Sequence, residues 1–205
     1  GHVHALLDPQ VLDRNQSLVM VHGHHHIEFT RMTGRTAGAH EHGVRRKRPL
    51  HLHASVAGLR ELAGEIAAIW HGEPAAQVEL IAVTGTNGKT SCSQWIAQGL
   101  ARGGRRAAEP FGLTMPDALD LHARLAQFVA QGVASVVMEA SSIGLDQARL
   151  SGAQPVIAVL TNLSRDHLDY HASMEAYAQA KLRLFAMTGL EAAVLNAGDA
   201  LSIAA

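Results

Sequence analysis

The sequence predicts an α/β fold, a mainly parallel sheet with flanking helices and a glycine-rich loop at the end of its first strand. Three observations predict it. Short apolar runs with β-branched residues recur at Val78–Val83, Ser135–Glu139, Val156–Leu160 and Ala192–Asn196. Patterns with helical spacing lie between them, and strands alternating with helices at this distance build βαβ units. The first run leads straight into Thr84-Gly85-Thr86-Asn87-Gly88-Lys89-Thr90, a turn that opens a helix. Strands that are apolar on both faces belong in a sheet covered on both sides.

The elements follow in order. Val56, Leu59, Leu62, Ile66 and Trp70 recur near helical spacing, so an amphipathic helix is expected over Ala54–Trp70. Gly72-Glu73-Pro74 ends it. After the first strand a helix is expected over about Thr90–Arg102. Pro116 suits a first helical turn, and the helix behind it runs to about Gln131. A last helix is expected over Ser173–Met187. No internal repeat or heptad run is present.

Composition narrows the class. The 205 residues are 47% hydrophobic and 17% charged, which suits a packed core and not a disordered chain. Seventeen basic against eighteen acidic residues leave a net charge of −1, so no nucleic-acid partner is expected. No run approaches the roughly 20 apolar residues of a membrane helix, and no signal peptide opens the chain. The single cysteine, Cys92, excludes an internal disulfide framework and fits a reducing compartment. A cytoplasmic protein without a membrane partner is expected, as a monomer. Gly1 stands where a complete chain has Met, and the text reads as a piece of something longer.

The averages conceal an internal shift. Ten of the 14 histidines lie in residues 1–53, and residues 1–48 carry a formal +3 against −4 for the remainder. The His22–His26 cluster suits a metal tract and Arg45–Arg48 a basic arm, but neither completes a defined site. Residues 1–48 are therefore expected to be an atypical, poorly ordered segment. Residues 49–75 read as a helix and linker from a preceding domain, and residues 76–205 as part of a nucleotide-binding domain.

The chemistry concentrates at strand ends. Gly85 and Gly88 allow a tight turn whose amides point at one anion, and the following helix adds its positive end. Lys89 is placed to reach phosphate oxygens and Thr90 to ligate Mg²⁺, as in P-loops. The strict signature wants glycine five residues before the lysine, where Thr84 stands, so this is a variant; an incidental βα turn is the alternative. Glu139 ends a strand where open α/β sheets bind ligands, as a metal carboxylate or an ordinary strand-end acid. Thr161–Asp169 adds a polar loop after the next strand.

Together the Thr84–Thr90 loop, the Met138–Leu145 segment and Thr161–Tyr170 with Ala180-Lys181 resemble the Mur ligase family over about residues 49–205. The resemblance implies a central ATPase domain and an ATP-dependent amide ligase of peptidoglycan-precursor synthesis. It points to the member that adds a third amino acid, meso-diaminopimelate or lysine, to UDP-N-acetylmuramoyl-L-alanyl-D-glutamate. A folylpolyglutamate synthase, or an inactive fragment that at most binds ATP, is the alternative.

The resemblance implies that Gly85, Thr86, Asn87, Gly88, Lys89, Thr90, Ser91 and Asn162 bind ATP, and that Thr90, Glu139 and His167 hold magnesium. It implies catalytic roles for Lys89, His167 and Lys181, the last as a carbamylated lysine. Thr114, Met115, Ser141, Gln147 and Arg149 fall where the family meets the UDP-sugar peptide. Met115 departs from a usual threonine. The segment Ala107–Phe111 is short, so the strand and Gly-rich turn that follow the family's first helix are expected to be missing.

Overall fold

The computed structural model describes residues 17–19, 26–30, 51–55, 58–108, 115–199 and 202–203. The chain divides into two units, residues 1–59 and 60–205.

The first unit holds a three-stranded antiparallel sheet: β1 (Ser17–Val19), β2 (His26–Thr30) and β3 (His51–Ser55), in that order. Ser17 pairs with Thr30, and Phe29 with Leu52. Two of these strands fall within 1–48, where the sequence shows no periodicity that would announce them. The remainder of the His/Arg-rich segment lies outside the described residues.

In the second unit a five-stranded, wholly parallel sheet has the order β5-β6-β4-β7-β8. Its strands are β4 (Glu79–Thr84), β5 (Ala107–Ala108), β6 (Ser135–Glu139), β7 (Ile157–Leu160) and β8 (Ala192–Leu195). The helices are α1 (Leu59–Trp70), α2 (Lys89–Arg102), α3 (Ala118–Ala130), α4 (Ser142–Asp146), α5 (Leu168–His171) and α6 (Met174–Leu182). Single 3₁₀ turns cover Pro74–Gln77 and Arg183–Ala186.

Strand periodicity splits the core in two. Leu80 and Ala82 of β4 join Val136, Met138, Leu121, Leu125 and Leu145 on one face. Ile81 and Val83 face the other way, with Val137, and meet Ala97 and the partly buried Cys92, Ile96 and Leu100. Those α2 residues recur at helical spacing, so one stripe of the helix covers the sheet. Asp117 caps α3, its Oδ1 accepting from the amides of Leu119 and Asp120 at 3.0 and 2.9 Å.

Beyond one-residue shifts at strand ends, three differences from the sequence expectation stand out. The first helix starts at Leu59, not Ala54, because residues 51–55 pair as β3. The strand expected to be missing is present as Ala107–Ala108, behind Gly103-Gly104 and paired with Ser135–Val136. Two residues are too few to show a period. The helix expected over Ser173–Met187 keeps α-geometry only to Leu182 before tightening to 3₁₀.

Helix α1, read above as part of a helix and linker from a preceding domain, packs within the second unit. A Cβ at Gly64 would stand 2.0 Å from the Ser151 carbonyl oxygen, so only glycine permits this approach. Ser151 Oγ donates to the Glu61 carbonyl, and His122 Nε2 lies 2.9 Å from Ser151 O.

Candidate functional site

Parallel register brings the predicted site residues to one edge. Val83 pairs with Glu139 and Thr84 with Leu160, so the loops after β4, β6 and β7 leave the sheet side by side at their carboxyl ends. This is where open α/β sheets bind ligands.

The loop after β4 is closed by its own chain. Gly85 has φ 140°, and a Cβ there would lie 1.9 Å from Thr161 Oγ1, so the position demands glycine twice over. Asn162 grips the loop from the end of β7: the Asn87 amide donates to its Oδ1 at 3.1 Å, and its Nδ2 donates to Asn87 O at 2.9 Å. The Thr86 amide donates to Asn162 O at 2.9 Å. Thr161 Oγ1 adds a bond to Asn87 O at 2.7 Å.

The amides of Thr86 and Asn87 are thus occupied by Asn162. The open donors lie one step further on. Helical bonding begins with Cys92 N to Gly88 O, which leaves the amides of Lys89, Thr90 and Ser91 without a helical acceptor, as at any helix start. With the helix's positive end they form a natural anion seat.

Two ammonium groups converge beside it. Lys89 Nζ folds back to donate to Gly85 O at 3.0 Å and Thr86 O at 2.9 Å. Lys181 Nζ, arriving from α6, donates to the same Gly85 carbonyl at 2.7 Å and lies 4.4 Å from the Tyr177 ring centroid. Lys181 is 2% exposed. Burial first, and the Lys89 charge second, depress its pKa to about 7 against the opposing pull of Asp166. Tyr177 is fully buried, and its hydroxyl lies 3.0 Å from Thr86 Oγ1, which also accepts from the Ser164 amide at 2.9 Å.

The end of β6 is different. Glu139 is buried and its Oε1 has no hydrogen-bond partner. Ser142 Oγ, three residues on, is likewise buried and unpartnered, as is Thr84 Oγ1 at the end of β4. Orphaned buried acceptors are rare because each carries its full desolvation penalty, and a carboxylate oxygen in that state suits a cation. Among the described residues no three His, Cys, Asp or Glu side chains cluster as a metal cage, so any ion here would take further ligands from water or phosphate. Thr90, in the first turn of α2, is half-buried, and Ser91 is exposed. His167 has φ 50°; its amide donates to Asp166 Oδ1 at 2.8 Å, and its Nε2 is 3.6 Å from Asp166 Oδ2.

The expected substrate residues form a second group. Arg149 donates twice to Gln147 Oε1, at 3.1 and 2.7 Å, and once to Met115 O at 2.9 Å. Gln147 Nε2 is 3.4 Å from the Tyr170 hydroxyl, which donates to Asp146 Oδ2 at 3.0 Å. Ser141 caps α4 by accepting from the Gly144 amide at 3.0 Å. Met115 is buried with its sulfur against Gly144, so its departure from threonine is absorbed as packing. Thr114 lies outside the described residues.

Several residues that build the site carry no sequence signal read above. Tyr177 sits inside the expected Ser173–Met187 helix, and His171 stands between that helix and the polar loop. Asn196 Nδ2 donates to Thr161 O at 2.8 Å, and Asp199 Oδ2 accepts from the Leu163 amide, so both brace the loop after β7 from the end of β8. Their polarity directly behind an apolar strand is the cue that could have flagged them.

Known proteins identify the family. The Mur ligase middle domain matches residues 83–204. The UDP-N-acetylmuramoyl-L-alanyl-D-glutamate--2,6-diaminopimelate ligase of Nitrosomonas europaea is 49% identical over 161 residues, 72% of this chain and 31% of that protein. The ligase of the same name from Pseudomonas aeruginosa is 48% identical over 158 residues, 71% of this chain and 32% of that one. The chain thus spans about a third of the length of these curated relatives. A solved structure bearing that ligase's name aligns with TM-score 0.65 and 40% identity, over 71% of this chain and 32% of that one. A D-alanyl-D-alanyl ligase from Acinetobacter baumannii shares the fold, with TM-score 0.56 at 20% identity over 78% of this chain and 35% of that one. The glycine loop, the strand-end glutamate and the matched middle domain lead to one conclusion: this chain belongs to the Mur ligase family.

Proposed function

We propose that this chain is the ATP-binding part of a ligase that joins meso-diaminopimelate, or lysine, to UDP-N-acetylmuramoyl-L-alanyl-D-glutamate in peptidoglycan-precursor synthesis. The carrying observation is the convergence of Lys89 and Lys181 on the Gly85 carbonyl in the loop that opens α2, with an unpartnered Glu139 oxygen at the neighbouring strand end. Identities of 48–49% to ligases so named favour this acceptor over folate.

The γ-carboxylate of the D-glutamate attacks the ATP γ-phosphate, ADP leaves, and the acyl phosphate is opened by the incoming amine with release of phosphate. Lys89 and the amides of Lys89–Ser91 neutralise the transferring phosphoryl group, whose charge sits on its outer oxygens. Asn162 holds Asn87 from both sides and keeps those amides aimed. Arg149, pre-set by Gln147 and Met115, offers a planar fork to a carboxylate or pyrophosphate of the substrate; the family resemblance assigns Ser141 and Thr114 to the same substrate.

Magnesium fits the orphaned Glu139 oxygen; Glu139 would hold it, with Thr90 and His167 where the family resemblance puts them and water or phosphate completing the shell, and it would supply neutralisation of phosphate charge. A carbamate fits Lys181: an amine with a pKa near 7 has a neutral fraction that can add to CO₂, losing an N–H proton to water, and the product anion would attract Lys89 where the ammonium repels it. A nucleotide-linked substrate and a lone cysteine suit a cytoplasmic monomer. No helix among the described residues is long and apolar enough to cross a membrane.

The test is phosphate release by the full-length gene product. Release that depends on both the UDP-dipeptide and meso-diaminopimelate or lysine is expected; release driven by a folate acceptor, or by no acceptor, overturns the reading. Titration of ATP with magnesium into the 205-residue chain reads the nucleotide site alone.

A further inference from the structure

Between the phosphate loop and the Arg149 group stands a residue with no assigned part. His171 ends α5, is 7% exposed, and has an Nε2 that meets no partner. Its ring meets Tyr170 edge-on, with centroids 4.7 Å apart, and Tyr177 at a tilt, 5.4 Å apart. Tyr170 reaches Asp146 and Gln147, and Gln147 holds Arg149. Tyr177 reaches Thr86 and underlies Lys181, which bonds Gly85. Packed contacts and hydrogen bonds therefore run unbroken from Arg149 to Gly85, with the His171 ring as the joint.

From this we infer that His171 is a positioning residue that couples occupancy of the Arg149 side to the set of the phosphate loop. The inference rests on the ligase reading above for what occupies each side. Nε2 makes no hydrogen bond, so the two tyrosines meet the ring through its flat surface and edge. Tyr170 is 41% exposed and is the arm free to follow a ligand, whereas His171 and Tyr177 are buried, and packed interiors transmit displacement and do not absorb it. A ligand that draws Arg149 and Gln147 moves Tyr170 against His171, and the ring passes that constraint to Tyr177 and Thr86.

The coupling is measurable as a ratio of dissociation constants. With the full-length protein, calorimetric titration of UDP-N-acetylmuramoyl-L-alanyl-D-glutamate is run with and without saturating magnesium and a non-hydrolysable ATP analogue. Coupling between sites commonly amounts to about 5–150-fold, and wild type is expected to show at least the lower figure. His171→Ala is expected to bring the ratio within about twofold of unity, with each separate affinity changed by less than about threefold. His171→Phe, which keeps the flat ring, is expected to retain wild-type coupling and an equal or higher Tm.

Should His171→Ala fail to fold, His171→Leu, with bulk but no flat ring, carries the same expectation. Wild-type coupling in the Ala or Leu variant, loss of coupling in the Phe variant, or a wild-type ratio of one each overturns the inference. Wild type that binds neither ligand overturns the ligase reading instead.

Discussion

The loop after β4 and the end of β6 lie side by side, yet they treat their polar groups in opposite ways. In the loop almost everything is answered from within: Asn162 takes both sides of Asn87, Thr86 meets Tyr177 and Ser164, and two ammonium groups share Gly85 O. At the end of β6, Glu139 and Ser142 are buried with an oxygen unpartnered. The difference separates shape from charge. The loop is pre-set so that ligand binding needs little reordering, while the strand end holds negative potential in reserve for a cation. Variants of the first region should cost both stability and activity, and variants of the second activity alone.

The largest effect tests the charge that the loop presents. Lys89→Ala is expected to slow phosphate release by about 10²–10³-fold, the usual loss when one fixed donor to a developing anion is removed. Single-turnover release at saturating ATP measures it. A loss smaller than tenfold would place the phosphoryl group elsewhere.

Glu139→Gln tests the other half. Glutamine keeps the shape of the side chain where Oε1 meets no protein partner, so Tm should hold while the magnesium needed for half-maximal activity rises by about 10–100-fold. Asn162→Ala should do the reverse in kind. It deletes two bonds to the exposed Asn87, whose carbonyl keeps Thr161 Oγ1, at a cost of about 0.5–1.5 kcal/mol in urea unfolding. If both variants destabilise equally, the contrast between the two regions fails.

How far this could be read in advance follows from the span of each signal. The strands β4, β6, β7 and β8 announce themselves because an apolar run is local and β-branched residues favour a half-buried pleat. The glycine loop is legible because it compresses strand, turn and helix start into seven residues. Short elements are not: α4 and α5 span five and four residues, and β5 only two. Most hidden is whatever depends on distant segments meeting. Thr86 and Tyr177 are 91 residues apart in the chain, and nothing in the spacing of Tyr177 within α6 says that its hydroxyl reaches the phosphate loop. Lys181 is similar. Its place came from resemblance, whereas its depressed pKa comes from burial and from Lys89, which only the fold brings near.

That pKa makes the smallest prediction and the sharpest probe of the loop's internal balance. In the unfolded chain Lys181 titrates near 10.5, and in the folded one near 7. Between those values the unfolded state binds more protons, so folding stability gains with rising pH across that window. Below about pH 7 both states are protonated, and the folded chain bears the full cost of a buried ammonium 2% exposed beside Lys89. Lys181→Met keeps the stem and removes the titration. Thermal melts of both proteins from pH 6.5 to 9 should show the wild-type Tm gaining on the variant by a few degrees as pH rises. The melts are run in CO₂-free buffer, since carbamylation would replace the ammonium and flatten the wild-type curve. A constant difference across the range would mean that Lys181 keeps an ordinary pKa, and the packed loop would then be tolerating two full charges on one carbonyl.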